Sequence, residues 1–170
     1  LPIRFSRRIK ELEKLPIDLE NDHEIFIIRD WYVKSLDDVT NHSYPKSNED
    51  CYSFRNTIQN IFDRHSSTLT TMSTGISKLN TSNNFNSFLT KFYYNRTRTR
   101  FLITNYLEYF QNNEDKIGLL YFDCNLNSLL NEVCNDVESL VDLHDYKMAE
   151  INIDLPDIKI TYPKGYLYYS

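Results

Sequence analysis

Glycine and proline are scarce, 3 and 5 in 170 residues, so the chain has little material for the tight turns that a many-stranded barrel requires. Cysteine is scarce as well. Cys51, Cys124 and Cys134 cannot all pair within one chain, and none stands in a C-x-x-C of zinc or redox type, so they read as reduced thiols in a reducing compartment. No apolar run approaches the roughly 18 residues of a membrane span. The N-terminal residues alternate charge with apolar side chains, unlike a signal peptide. A net charge of -5 and a pI of about 5.4 withhold the basic field that general attraction to nucleic acid or anionic lipid needs. The sequence also lacks G-x-x-x-x-G-K, G-x-G-x-x-G and G-x-S-x-G, and with them the phosphate-cradling loops and the serine-hydrolase elbow.

What is present suits long helices. Hydrophobic residues at 41% and charged residues at 25% lie near the globular average, and 13 Tyr and 10 Phe supply large aromatic packing area. The length fits one domain, or one small domain and a piece of another. The first residue is Leu1 and the last, Ser170, falls inside the aromatic run Y-L-Y-Y-S, which reads as a segment of a longer protein. No repeat of solenoid period occurs.

Four helical segments are expected before about residue 112. The first, Pro2 to Leu15, carries Ile3, Phe5, Ile9, Leu12 and Leu15 and is stopped by Pro16. The second, Asp22 to Asn41, gathers Ile25, Ile28, Trp31, Tyr32, Ser35, Leu36 and Val39 on one broad face. In the third, Asn48 to Asn80, Phe54, Ile58, Ile61, His65, Leu69, Met72, Ile76 and Leu79 follow in steps of three or four, predicting one long helix. The fourth, Asn84 to Gln111, repeats the pattern through Phe85, Phe88, Phe92, Arg96, Thr99, Ile103, Tyr106 and Phe110. The polar stretch T-S-N-N between the last two can turn the chain, which makes them antiparallel neighbours. With the first two they predict a mainly α chain built on an antiparallel four-helix bundle.

After Q-N-N-E-D-K the pattern changes. The run I-G-L-L-Y-F-D-C reads as one strand, Asn125 to Leu143 as a helix, and M-A-E-I-N-I-D-L with I-K-I-T-Y as a hairpin about Pro156-Asp157. This order predicts the truncated start of an α/β layer, with residues 1–116 as the bundle domain and 117–170 as the incomplete second domain.

Two polar residues interrupt the apolar stripes. With a turn centred between Thr81 and Ser82, the level of His65 falls near residue 98 on the opposite helix, so Arg96 and Arg100 flank it. These two arginines are four apart and share a helix face. Two guanidiniums and an imidazole facing an interior repel one another unless an anion lies between them, and a carboxylate or phosphate would satisfy their donors. The plainer alternative is that the arginines snorkel to solvent or pair with Asp37, Asp38 or Asp63, and that His65 is a satisfied core histidine. The string R-T-R-T-R could also be a nucleic-acid stripe, but on a helix Arg98 points away from Arg96 and Arg100. His23, His42 and His144 have no partner at metal-ligand spacing, so no metal site is expected.

Motifs in fixed order carry a family resemblance. They are Leu1-Pro2-Ile3-Arg4, Leu15-Pro16, Trp31-Tyr32-Val33-x-Ser35-Leu36, Arg64-His65 with Thr71-Met72-x-x-Gly75, Phe88-Leu89-x-x-Phe92-Tyr93-x-Asn95-Arg96-x-x-x-Arg100, Ile117-Gly118 and Cys124-Asn125. The series resembles the mitochondrial pyruvate dehydrogenase kinases and their branched-chain α-ketoacid dehydrogenase kinase relatives. The resemblance implies a four-helix regulatory and docking domain joined to an ATP-binding α/β sandwich. It implies a mitochondrial matrix protein-serine kinase that uses ATP and Mg²⁺ and phosphorylates and inactivates the E1 subunit of an α-ketoacid dehydrogenase complex. It further implies docking on the lipoyl-bearing E2 and a homodimer.

The family's E-x-x-x-N helix would begin around Tyr166 to Ser170, and its glycine loops do not occur here, so no catalytic residue is assigned and the segment alone is expected to be inactive. The resemblance does supply an effector pocket for a small carboxylate, formed by Tyr32, Ser35, His65, Asn95, Arg96, Thr99 and Arg100, with Phe5, Ile61 and Ile103 as its wall. Phe62 stands where the pyruvate kinases commonly carry Arg, and Asn95 and Thr99 replace smaller or apolar residues. A noncatalytic helical module that binds a partner protein is the alternative function.

Overall fold

The computed structural model describes residues 1–15, 22–78, 85–111, 113–142, 151–156, 158–163 and 165. Pro16, the turn at Thr81–Asn84, the stretch 148–150 of the expected hairpin and the helix expected at 166–170 lie outside them. The chain is mainly helical with a small antiparallel sheet, and it falls into two compact units, Leu1–Leu107 and Glu108–Ser170.

In the first unit α1 spans Pro2–Leu12, α2 His23–Asn41, α3 Asn48–Arg64 and α4 Thr68–Ser77, while α5 begins at Asn86 and runs to Tyr109. The helix starts are written in local chemistry. Asp22 caps α2 by accepting from the Glu24 and Ile25 amides at 3.0 and 3.2 Å. Ser47 and Asp50 form a reciprocal capping box on α3, and the amides that Asp50 accepts from Lys46 and Ser47 hold its carboxyl below the usual range. α1 packs on α2, and α2 also packs on α3 and α4. The shared core holds Phe5, Leu12, Ile25, Ile28, Tyr32, Ile58, Ile61, Met72, Phe92, Ile103 and Leu107, all buried.

One expectation is overturned here. The segment from Asn48 is two helices, because the α-helical ladder stops at Arg64 and resumes at Thr68. His65 sits at φ -91°, ψ 7°, in the bridge region rather than the helical one. Its carbonyl, released from the ladder, accepts from the Thr68 amide at 3.3 Å and from Thr68 Oγ1 at 2.9 Å. The run His65-Ser66-Ser67-Thr68 favours such a break, since Ser and Thr offer side-chain hydrogen bonds that compete with the helix.

In the second unit β1 (Lys116–Ile117), β2 (Leu120–Asn125) and β3 (Lys159–Pro163) form a sheet in that order, with α6 (Leu126–Asp142) following β2 directly. The run expected as one strand is a hairpin, because Gly118 at φ 59° turns the chain so that Ile117 faces Leu120. The hairpin expected about Pro156-Asp157 is also corrected. Residues 151–156 are irregular and β3 pairs with β2 instead, Tyr121 opposite Tyr162 and Cys124 opposite Ile160. Two bonds hold that approach to the sheet: the Leu126 amide donates to Ile158 O at 3.2 Å and Asn127 Nδ2 to Leu155 O at 2.9 Å. A bulge between Tyr121 and Cys124 places Asp123 at φ 51°, a conformation that Asp tolerates better than most side chains.

Candidate functional site

The break between α3 and α4 brings His65 into the interior of the first unit. Its ring, 7% exposed, lies among aromatic neighbours: Tyr32 at 4.5 Å between centroids, Phe5 at 6.2 Å and nearly parallel, Trp31 at 6.3 Å and edge-on. Nε2 lies 3.0 Å from Ser35 Oγ, and Ser35 is fully buried. Arg64 Nη1 donates to the same oxygen at 2.9 Å, and Arg64 Nη2 pairs with Asp38 at 2.7 Å. Arg96, from α5, donates through Nη2 to the His65 carbonyl at 3.2 Å. Arg100, one turn further on, stacks its guanidinium over Phe62 at 3.9 Å.

Phe5, Tyr32, Phe62, His65, Arg96, Thr99, Arg100 and Ile103 line one cavity. The space between them is small: about 20 Å³ admits the centre of a water. A water fits as the side chains stand; a larger ligand requires them to move. Three buried polar atoms at this cavity have no hydrogen-bond partner: His65 Nδ1, Arg96 Nε and Arg100 Nη1. Such orphans are costly inside a protein, because each has given up water for nothing.

The electrostatics are one-sided. Burial, followed by the nearby charges of Arg64, Arg96 and Arg100, lowers the His65 pKa to about 4, so the ring is neutral near neutral pH. Burial raises the Tyr32 hydroxyl to about 12. Burial also lowers both arginines, with Arg100 adding to the effect on Arg96 and Asp63 opposing it on Arg100. Among the described residues no carboxylate forms an ion pair with Arg96 or Arg100. Asp38 is taken by Arg64, and Asp63 accepts from Gln59 at 3.0 Å. Two N–H groups at one cavity, on guanidiniums without an ion-paired carboxylate among the described residues, can hold an anion.

The other candidates fall in different places. Ser35 supports the site from behind by bonding to the ring. Ile61 is fully buried in the core and does not line the cavity, and Asn95 Nδ2 donates back along its own helix to Lys91 O at 2.8 Å. Thr99 Oγ1 donates to Asn95 O at 2.9 Å, which leaves its methyl for the cavity wall. Sequence reasoning did not assign Arg64 a role in the site. The signal was available in Asp38, one turn after Ser35 on the partner helix, where an acidic group can anchor Arg64 across both. Phe62, a departure from the family pattern, supports the Arg100 guanidinium. Arg98 is exposed, with its guanidinium 5.3 Å from the Tyr94 ring. Among the described residues no group of His, Cys, Asp or Glu could hold a metal, the three cysteines are free, and no helix is long and apolar enough to cross a membrane.

The chain thus combines a helical unit that encloses a cavity lined by Arg96 and Arg100 with a second unit of hairpin, helix and strand. The family model described as mitochondrial branched-chain α-ketoacid dehydrogenase kinase matches residues 1–150, and the chain belongs to this family. Over 99% of its length it is 26% identical to human [pyruvate dehydrogenase (acetyl-transferring)] kinase isozyme 4, mitochondrial, covering 46% of that protein. It is 26% identical to human isozyme 1 over 99% of its length, covering 44% of that protein, and 27% identical to rat isozyme 4 over 99%, covering 46%. The chain spans about half the length of the curated relatives it matches.

Proposed function

We propose that this chain is the N-terminal part of a mitochondrial matrix protein-serine kinase that phosphorylates and inactivates the E1 subunit of an α-ketoacid dehydrogenase complex, and that its cavity binds a small carboxylate effector. Family membership and the relatives' names, kinases of the pyruvate dehydrogenase complex, support the enzyme class and favour pyruvate dehydrogenase as the target. In this reading residues 1–116 are a four-helix regulatory and docking bundle, and 117–170 open an α/β ATPase sandwich. The working protein is a homodimer that docks on lipoyl-bearing E2. ATP and Mg²⁺ are the cofactors of the reaction, and no residue described above is assigned to them.

The effector reading is carried by the unpartnered Arg96 Nε and Arg100 Nη1 at one buried cavity. A carboxylate placed there would satisfy both donors, while Phe5, Tyr32, Phe62 and Ile103 would cover its apolar end. Because the cavity must widen to take it, the ligand would favour one arrangement of the helices over another, which is how binding becomes regulation.

Calorimetric titration with pyruvate and with branched-chain α-ketoacids tests the pocket. Arg96→Ala is expected to abolish binding while the helical circular dichroism is retained, and unchanged affinity in that variant would refute the assignment. Phosphate transfer from ATP to an E1 serine by the full-length gene product tests the enzyme class. Absence of ATP binding with lipoyl-domain binding intact would instead identify a noncatalytic helical interaction module.

A further inference from the structure

The net charge of -5 is unevenly spread. Five of the 19 basic residues but only two of the 24 acidic ones fall in residues 1–15, the stretch that holds α1. That helix packs on α2 and turns Phe5, Arg8 and Leu12 inward. On its opposite side Ile3, Arg7, Lys10 and Lys14 are exposed, and their spacing of four, three and four sets all of them within a sector of about 60°. Both acids of the helix are already taken. Glu11 pairs with Arg8 and, at 3.4 Å, with Lys91 of α5, while Glu13 pairs with Arg29 of α2 at 2.6 Å. Among the described residues Arg7, Lys10 and Lys14 have no acidic partner. Neighbouring elements thus cancel the anions of α1 and leave its outward cations unpaired.

The make-up of this stripe discriminates among anionic partners. A protein partner is held by a central anchor, most often Trp, Tyr or Arg seated in a pocket, and lysine is depleted at such contacts. Here two of the three cations are lysines and no aromatic side chain stands among them. Single-stranded nucleic acid stacks its bases on aromatic rings, which the stripe equally lacks. A row of flexible cations needs no matched shape to meet a fluid surface of anionic headgroups. Ile3, 70% exposed at the end of the row, adds the apolar side chain that an interfacial helix inserts. The acidic remainder of the molecule does not prevent the approach, because exposed charges more than about 8 Å away are screened at physiological ionic strength.

We propose that the outer face of α1 is a peripheral membrane-contact surface: Arg7, Lys10 and Lys14 meet the phosphates of anionic lipids, Ile3 enters the headgroup layer, and the protein is held reversibly against the bilayer. The cavity and its occupant play no part in this contact.

Flotation of the full-length gene product with vesicles of phosphatidylcholine alone, and of equal parts phosphatidylcholine and phosphatidylglycerol, tests the surface. Binding is expected to the mixed vesicles only, and it should weaken as salt is raised. Combining Arg7→Gln, Lys10→Gln and Lys14→Gln should weaken it roughly a hundredfold, about fivefold per cation, with the thermal transition unmoved because none of the three is ion-paired. Arg7→Lys, which keeps the charge, should retain binding, and so should Lys34→Gln, which removes an exposed cation of α2. Equal binding to both kinds of vesicle, undiminished binding of the triple variant, or no binding to the mixed vesicles would each overturn the proposal. Binding of polyglutamate that the same three substitutions abolish, without binding to vesicles, would overturn it too and mark the stripe as a site for an acidic protein.

Discussion

The unit of residues 1–107 draws Phe5, Ile28, Ile58, Ile61, Met72 and Phe92 to 1% exposure or less. The unit of residues 108–170 buries Cys124 and Leu129 and leaves Leu120, Phe122 and Tyr162 about two-fifths exposed. Side-chain interdigitation between helices holds the first, and the β2–β3 ladder with short local bonds holds the second. A dense core also makes a charged cavity consequential, because a guanidinium enclosed by Tyr32, Phe62 and Ile103 has lost water that it must replace. The same arginine on the exposed sheet of the second unit would keep its hydration and select nothing.

The contrast is tested most severely by truncation. Phe92→Ala, in the first core, should cost about 3–5 kcal/mol, read from urea unfolding by the fluorescence of Trp31. Leu129→Ala, at 2% exposure but with fewer buried neighbours to leave a cavity, should fall near about 2 kcal/mol by hydrogen exchange of the β2 amides. Equal costs in the two units would break the contrast.

Next in size is the pH dependence of the first unit. Burial holds the pKa of His65 at about 4 in the folded chain against 6.5 for an unperturbed imidazole, so between these values the unfolded chain binds more protons. Stability therefore rises with pH through this window and is lost as pH falls through it, by at most about 1.4 kcal/mol per pH unit. Denaturant titrations across the window should show a slope that His65→Phe flattens.

A smaller effect is expected at Gly75, where an added Cβ would lie 2.8 Å from Asp22 Oδ1 and 3.3 Å from Glu24 Cβ. Gly75→Ala should displace the α2 cap and cost about 1 kcal/mol in thermal unfolding. Adding Asp22→Ala to it should then cost little more, since both changes remove the same bonds. Smallest is Lys116→Met in the second unit, which removes a 2.6 Å pair with Glu108 and a cation 5.4 Å from the Tyr121 ring. The expected cost is below about 1 kcal/mol and should shrink in high salt.

Helix positions were legible because burial on a helix repeats every three or four residues, and α1, α2 and α5 follow that spacing. The same regularity hid the break at His65. Ile61, His65, Leu69 and Met72 keep the step through a three-residue turn, yet Leu69 ends 48% exposed, because periodicity counts residues and not the direction of the axis. The level of Arg96 against His65 could be counted from the turn between their helices, and Arg96 does reach the His65 carbonyl. What counting could not supply was that this carbonyl is free to be reached. Alternation likewise marked residues 158–162 as a strand, but it cannot name a partner, and β3 chose β2 across an intervening helix. Asn95, next to Arg96 in sequence, is turned by 100° or so around the axis and leaves the cavity.

The carbonyl of His65 is held in common by three parts of the first unit: it ends α3, it anchors the first turn of α4 through Thr68, and it is gripped by Arg96 of α5. A molecule that draws the Arg96 guanidinium toward itself must compete with that grip. In the effector reading proposed above, affinity at the cavity and the angle at which α4 leaves α3 would be set against each other, and the junction would work as a latch whose tension the ligand adjusts.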